Sequence, residues 1–204
     1  MPKGNLFIGT SGWVYGHWIG IFYPEDLPSK DKLKYFSQHF KTAEINYSFY
    51  HLPRPSSYQN WRKLTPEDFI FAVKASRFIT HIKRLSGVKE AWQQFLENAL
   101  YLKEKLGPIL FQFPPSFRAN EIEVKRIADS PSYPKAEEVT ADFIYLRMHG
   151  SKVLFTSNYT KKELNSLSQG IKKWLKTADV YVYFNNDAYG YAIENAKELS
   201  KLCK

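Results

Sequence analysis

The chain has 204 residues, 44% of them hydrophobic and 17% aromatic, and 29 Lys and Arg against 20 Asp and Glu give it a net charge of +9. That length suits one domain with a full core, expected over residues 1–204, and is short for two. No window of about 18 uncharged apolar residues occurs, which argues against a membrane-spanning helix.

Met1-Pro2-Lys3-Gly4-Asn5 leads directly into an apolar run, without the long apolar stretch and small-residue cleavage site of a secretory signal. The single cysteine, Cys203, rules out an intramolecular disulfide and a cysteine-only metal site; it fits a reducing, cytoplasmic setting. The positive charge has two readings. It serves an anionic partner such as phosphate or nucleic acid, or it is surface lysine on helix faces, as at Lys103, Lys105, Lys172, Lys173 and Lys197.

In chain order, short apolar runs alternate with helical patterns. Leu6-Phe7-Ile8-Gly9 predicts a first strand, residues 32–39 a helix, and Ala43-Glu44-Ile45-Asn46 a second strand. Phe69-Ile70-Phe71-Ala72-Val73-Lys74 predicts the third. Residues 90–105 carry Trp92, Phe95, Leu96, Ala99, Leu100 and Leu102 at helical spacing, with Gly107-Pro108 as the stop. Ile109-Leu110-Phe111-Gln112-Phe113 predicts the fourth strand and residues 121–128 a short helix. Phe143-Ile144-Tyr145-Leu146-Arg147-Met148 predicts the fifth strand, residues 161–175 an amphipathic helix, Val180-Tyr181-Val182-Tyr183-Phe184 the sixth strand, and Tyr191–Leu202 a closing helix. Near-continuous apolar strands separated by helices imply right-handed βαβ units around a parallel sheet or barrel.

Each strand ends in polar residues. These are Thr10-Ser11-Gly12, then Glu44 and Asn46, Lys74 and Arg77, Gln112, Arg147 and His149, and finally Asn185, Asn186 and Asp187. The C-terminal ends of parallel strands are where such folds hold ligands. Each group also has a plain reading as the start of a loop, but six in a row point to a site.

Several motifs in order resemble the YecE-like family, also called domain of unknown function 72. They are Ile8-Gly9-Thr10-Ser11-Gly12-Trp13, Tyr15, Trp18 and Phe22-Tyr23-Pro24; Glu44-Ile45-Asn46, Phe49-Tyr50 and Pro53; Trp61 and Thr65-Pro66; and Phe71-Ala72-Val73-Lys74, Thr80-His81 and Leu85. Leu106-Gly107-Pro108, Leu110-Phe111-Gln112, Pro114-Pro115, Arg147, His149-Gly150 and Tyr183-Phe184-Asn185-Asn186-Asp187 complete them. The resemblance implies a TIM-barrel-like parallel α/β barrel, similar in fold to the group containing xylose isomerase and endonuclease IV, and it implies no activity. A full barrel of this kind takes about 250 residues. Here the segment after Pro114-Pro115 is short: Ser130-Pro131-Ser132-Tyr133-Pro134 leads almost at once to Val139. The expectation is therefore an internal deletion that leaves about six strands. It would remove the fifth and sixth family strands and, with them, a carboxylate and an arginine of the family's mouth.

Glu44 lies within an apolar strand, so its carboxylate is either a general base with a raised pKa or a structural partner of Lys74 or Arg147. Lys74 suits holding a phosphate or carboxylate; a Schiff base has nothing to select it. His81 and His149 are the acid–base or ligand candidates, and Arg77 and Arg147 suit bidentate anion recognition. Lys83 and Arg84 extend the basic stretch or form a solvated face. Asn185, Asn186 and Asp187 bind hydroxyls, phosphate or a cation, or else make a turn or helix cap. Thr10, Ser11 and Gly12 allow close ligand approach. Trp13, Tyr15, Trp18, Tyr23 and Tyr50 form a stacking wall or are core. No HxH, HExxH or ExxH spacing joins Glu44, Asp187, His81 and His149, so no metal or other cofactor is expected beyond room for one weakly held divalent ion.

Three functions remain. The leading one is a cytoplasmic barrel enzyme acting on a small anionic or phosphorylated sugar-like molecule. In it Lys74, Arg77 and Arg147 neutralise the anion, Glu44 and His149 transfer protons, and Asn46 and Gln112 donate hydrogen bonds. The second is a nucleic-acid-binding protein, using basic contacts and aromatic stacking. The third is a non-catalytic remnant of a barrel enzyme. The sequence leaves the oligomeric state open.

Overall fold

The apolar runs form strands. In the computed structural model, which describes residues 3–117, 127–129 and 143–204, these are β1 (Leu6–Thr10), β2 (Thr42–Ile45), β3 (Ile70–Lys74), β4 (Leu106–Leu110), β5 (Ile127–Asp129), β6 (Phe143–Met148) and β7 (Asp179–Phe184). The α-helices are α1 (Lys32–Ser37), α2 (Tyr47–Tyr50), α3 (Pro55–Leu64), α4 (Lys89–Ala99), α5 (Lys161–Trp174) and α6 (Tyr191–Leu202). Every strand pairing is parallel. The mixed α/β, parallel architecture expected from the alternating periods is present.

Hydrogen bonding joins these strands into two sheets, ordered β1-β7-β6-β5 and β2-β3-β4, in place of the single closed ladder that defines a barrel. The described residues hold seven strands where about six were expected. The additional one, β5, takes residues 127–128 from the expected helix over 121–128; the rest of that helix lies outside the described residues. Apolar residues at 122, 124 and 127 fit neither period cleanly. Pairing of Ile127 with Leu146 on β6 decides for strand. The deletion expected between Phe117 and Phe143 otherwise falls outside the described residues.

The chain packs as two compact units. One holds the four-stranded sheet with α5 and α6. Its central strand β7 has Val180, Val182 and Phe184 fully buried, and β6 adds Ile144, Leu146 and Met148. Helix α6 packs on β1 and β7 through Ala192, Ile193, Ala196 and Leu199. Helix α5 starts with a capping box: the Glu163 amide donates to the Thr160 hydroxyl, and the Thr160 amide donates to the Glu163 carboxylate. Its buried stripe is Leu164, Ser168 and Ile171. Each large apolar side chain so buried contributes roughly 1.5–3 kcal/mol.

The other unit holds the three-stranded sheet with α1 to α4. Central β3 buries Phe71, Ala72 and Val73 completely. The fourth strand begins three residues earlier than expected, at Leu106, so Gly107-Pro108 lies inside a strand and does not stop a helix. Glycine is needed there because a Cβ at 107 would lie 2.5 Å from Ile70 Cγ2 and 3.2 Å from the Phe71 carbonyl oxygen. Proline is tolerated because β4 is an edge strand and its register with β3 is irregular near that point. The preceding helix ends at Ala99 and gives way to a tighter turn over Leu100–Lys105.

Helix α3 was not foreseen; Tyr58 is its one fully buried residue, so its apolar period is faint. Proline at its first position pre-sets the helical φ. Lys105, expected on a solvated face, is buried instead. Its ammonium donates to the Arg62 carbonyl at 2.7 Å, the Thr65 carbonyl at 2.7 Å and the Thr65 hydroxyl at 3.1 Å. It thereby satisfies acceptors at the end of α3, the negative pole of the helix.

Candidate functional site

Each unit has its own cluster of polar side chains at the C-terminal ends of its strands. In the three-stranded unit, Glu44 of β2 is fully buried and pairs in register with Ala72 of β3. Side chains alternate along a strand, so Glu44 and Lys74 project from the same face, one pleat apart. The Glu44 carbonyl accepts the amide of Gly12, which holds a φ of 87°. Lys74 ends β3 and is buried, with its ammonium 4.0 Å from the centre of the Phe49 ring. Ser48 ties the turn of α2 to this strand end, its one hydroxyl proton shared between the Lys74 carbonyl at 2.6 Å and the Ile45 carbonyl at 3.0 Å.

Beyond Lys74 the chain departs from regular structure. Residues Phe78–Ile82 form a π-helical turn, and Arg84 and Leu85 follow with φ of 48° and 68°. Consecutive non-glycine residues in the left-handed region store strain, and π-turns and strain both concentrate at functional sites. The turn carries His81. Thr80 donates its hydroxyl to the Ser76 carbonyl at 3.1 Å and lies 2.9 Å from His81 Nδ1. The ring packs edge-on to Phe49 at 5.1 Å. Burial first, then the positive charges of Lys74, Arg77 and Arg84, hold His81 below its ordinary 6.5. Arg77 is exposed, and Arg84 is steadied by a hydrogen bond to the Ser116 hydroxyl. Asn46 and Gln112 lie just past β2 and β4, Gln112 half-buried. Trp13, by contrast, is core, edge-on to Trp61 at 5.5 Å and buried.

In the four-stranded unit the register Gly9↔Tyr183 and Arg147↔Tyr183 puts residues 9, 147 and 183 on one face. The long Arg147 side chain is only 1% exposed. Arg147 Nη2 donates to the Ser11 hydroxyl at 3.1 Å, and Nη1 lies 3.3 Å from His149 Nε2. Asn185 Nδ2 lies 3.1 Å from His149 Nδ1. A guanidinium only donates, so His149 Nε2 is the acceptor of the Arg147 contact. Thr10 is buried at the end of β1 beside this network.

Gly150 follows at φ 103°, where a Cβ would lie 2.7 Å from the Val153 carbonyl oxygen and 2.8 Å from Ser157 Oγ. Gly150→Ala is expected to lower stability by about 2–3 kcal/mol, read as a lower urea midpoint. Phe155, at φ 65°, donates its amide to the His149 carbonyl and sets its ring edge-on to the imidazole.

Asn186 and Asp187 are used internally. Asn186 donates to the Ser157 carbonyl at 3.0 Å and to Asn195 Oδ1 at 2.8 Å, joining α6 to the loop before α5. Asp187 accepts the Trp18 indole at 2.9 Å and lies 2.9 Å from His17 Nε2. Burial pushes its carboxyl pKa up, against the hydrogen bonds from Trp18, His17 and the Ala192 amide. His17 and Phe49 thus join the candidate residues; their partners Asp187 and Lys74 are distant in sequence, so no spacing marks them. Among the described residues, no group of three His, Cys, Asp or Glu is placed to hold a metal ion, and no helix is long and apolar enough to cross a membrane.

The chain is similar to UPF0759 protein YunF of Bacillus subtilis (strain 168), at 36% identity over 118 residues, which is 55% of this chain and 41% of that protein. It is 26% identical over 117 residues to UPF0759 protein YecE of Escherichia coli (strain K12), covering 57% and 40%. The matched stretch therefore spans about two-fifths of the length of these relatives. Among solved structures, a DUF72 family protein (TM1631) from Thermotoga maritima superposes with a TM-score of 0.84 at 25% identity, over 97% of this chain and 98% of that one. Another, EF0366 from Enterococcus faecalis, reaches 0.81 at 20% identity, covering 97% and 95%, and shows the same fold. The family profile described as protein of unknown function DUF72 matches residues 7–130 and 123–204, so the chain belongs to the DUF72 family.

Proposed function

We propose that this protein binds a compact anion, a phosphate or carboxylate, at the end of β3. The observation that carries the reading is that Lys74 and His81 share the Phe49 ring, with Arg77 and Arg84 flanking His81 on a strained turn. The anion would take the Lys74 ammonium, the Arg77 guanidinium and, once protonated, His81 Nε2. In the same unit Glu44, on the face of Lys74, is the proposed proton-transfer group, with Asn46 and Gln112 as hydrogen-bond partners. The parallel proposal for the four-stranded unit gives Arg147 the cation's part and His149 the proton transfer.

The His81 titration tests the anion reading. Its folded pKa is lowered from 6.5, so the neutral ring contributes stability that is present above 6.5 and lost as pH falls through the folded value. Inorganic phosphate bound there adds negative charge beside the imidazole, so the NMR-measured pKa of His81 is expected to rise when phosphate is added. Arg77→Ala, at an exposed position, is expected to weaken phosphate binding about tenfold with the fold intact. A His81 pKa indifferent to phosphate at saturating concentration would sink the reading.

A further inference from the structure

We infer that the anion bound at the end of β3 is carried on a planar ring: the ligand is an aryl phosphate whose ring lies on Tyr50. This rests on the anion reading above and adds a second subsite to it. Tyr50 is 68% exposed, the largest exposure of any large hydrophobic side chain among the described residues. It is not adrift. Its ring stands edge-on to Phe49 at 4.9 Å and 90°, and Phe49 is buried. The same Phe49 ring carries the Lys74 ammonium at 4.0 Å and the His81 ring at 5.1 Å. One aromatic side chain thus spaces the exposed tyrosine from two members of the cation cluster.

The spacing is rigid. Tyr50 ends the single turn of α2, and Ser48 in that turn is bonded to the carbonyls of both Ile45 and Lys74. Of the five aromatic residues that the sequence marks as a stacking wall, Trp13, Trp18 and Tyr23 are buried in the cores of their units, and Tyr15 is half-buried. Tyr50 alone keeps its ring open to a partner. An exposed ring that shares Phe49 with Lys74 and His81 matches a ligand with a flat apolar part and a charged end. The ring stacks, the phosphate pairs, and the buried Phe49 sets the distance between them.

The test compares inorganic phosphate, glycerol 3-phosphate and phenyl phosphate by calorimetric titration against the wild-type chain, Tyr50→Ala and Tyr50→Phe. Phenyl phosphate is expected to bind the wild-type chain about tenfold more tightly than glycerol 3-phosphate, a stacking-sized gain. Tyr50→Ala should abolish that preference and leave inorganic phosphate affinity unchanged; Tyr50→Phe should keep it. Equal binding of the two esters, or a preference that survives Tyr50→Ala, overturns the aryl inference while phosphate binding still stands. Absence of binding by all three compounds removes the anion reading, and the aryl inference falls with it.

Discussion

Asp187→Ala is expected to destabilise the protein by about 3 kcal/mol, a fall in Tm of roughly 6–12 °C. The carboxylate accepts from the indole of Trp18, a side chain with no exposed surface, and truncation leaves that buried N–H without its acceptor. It also releases His17 and the amide of Ala192 at the start of α6. An unsatisfied buried donor costs about 1–3 kcal/mol by itself, and hydrogen bonds to a charged group are worth roughly twice a neutral one. Asp187→Asn keeps an acceptor for the indole, so its loss is expected to be about 1 kcal/mol. Urea denaturation of both variants checks the ordering. Equal losses would mean that the negative charge of the carboxylate, which the isosteric amide lacks as fully as alanine does, holds the segment carrying Trp18.

Lys105→Met is expected to cost about 3 kcal/mol, although it keeps an unbranched apolar stem in place of the lysine methylenes. The ammonium is the common donor to the Arg62 carbonyl, the Thr65 carbonyl and the Thr65 hydroxyl. Methionine offers none of these bonds, and the carbonyls stay buried at the end of α3. The opposing effect is the desolvation of the ammonium, which pushes the Lys105 pKa down from its ordinary 10.5. Three hydrogen bonds outweigh it, because burying a cation without partners would have displaced the side chain to solvent. Lys103→Met, two residues away on an exposed position, is the control and is expected to change stability by less than about 0.5 kcal/mol. Thermal unfolding of the pair measures the difference.

The strands with strong β-branched and aromatic content were legible in the sequence. β6 over Phe143–Met148 and α6 over Tyr191–Leu202 have their expected bounds, because a buried parallel strand and an amphipathic helix write their periods into their own residues. The start of β4 was not. Gly107-Pro108 is ordinarily a stop, and the contact that makes it a strand residue is with Ile70, thirty-seven positions earlier. Helix α3 was missed for a related reason: its polar face dominates, and its burial depends on neighbours.

The candidate residues divide the same way. That Lys74, Arg147, His149 and Asn185 end strands follows from their places after apolar runs. Which of them touch does not. The Arg147–Ser11 pair is 136 residues apart and the Asn185–His149 pair 36. Register, which is a property of two strands together, brings them side by side.

Alone, the order of residues determined the α/β class, the parallel sense of the strands and the placing of polar groups at their C-terminal ends, because periodicity and strand-to-helix alternation are local. The tertiary structure decided the rest: two hydrogen-bonded sheets, Lys105 turned inward, Asp187 committed to Trp18 and His17, and Tyr50 left open against Phe49, whose ring also carries the Lys74 ammonium. Each of these depends on which distant side chains share a space, and burial and hydrogen-bond partners exist only once the chain has closed on itself.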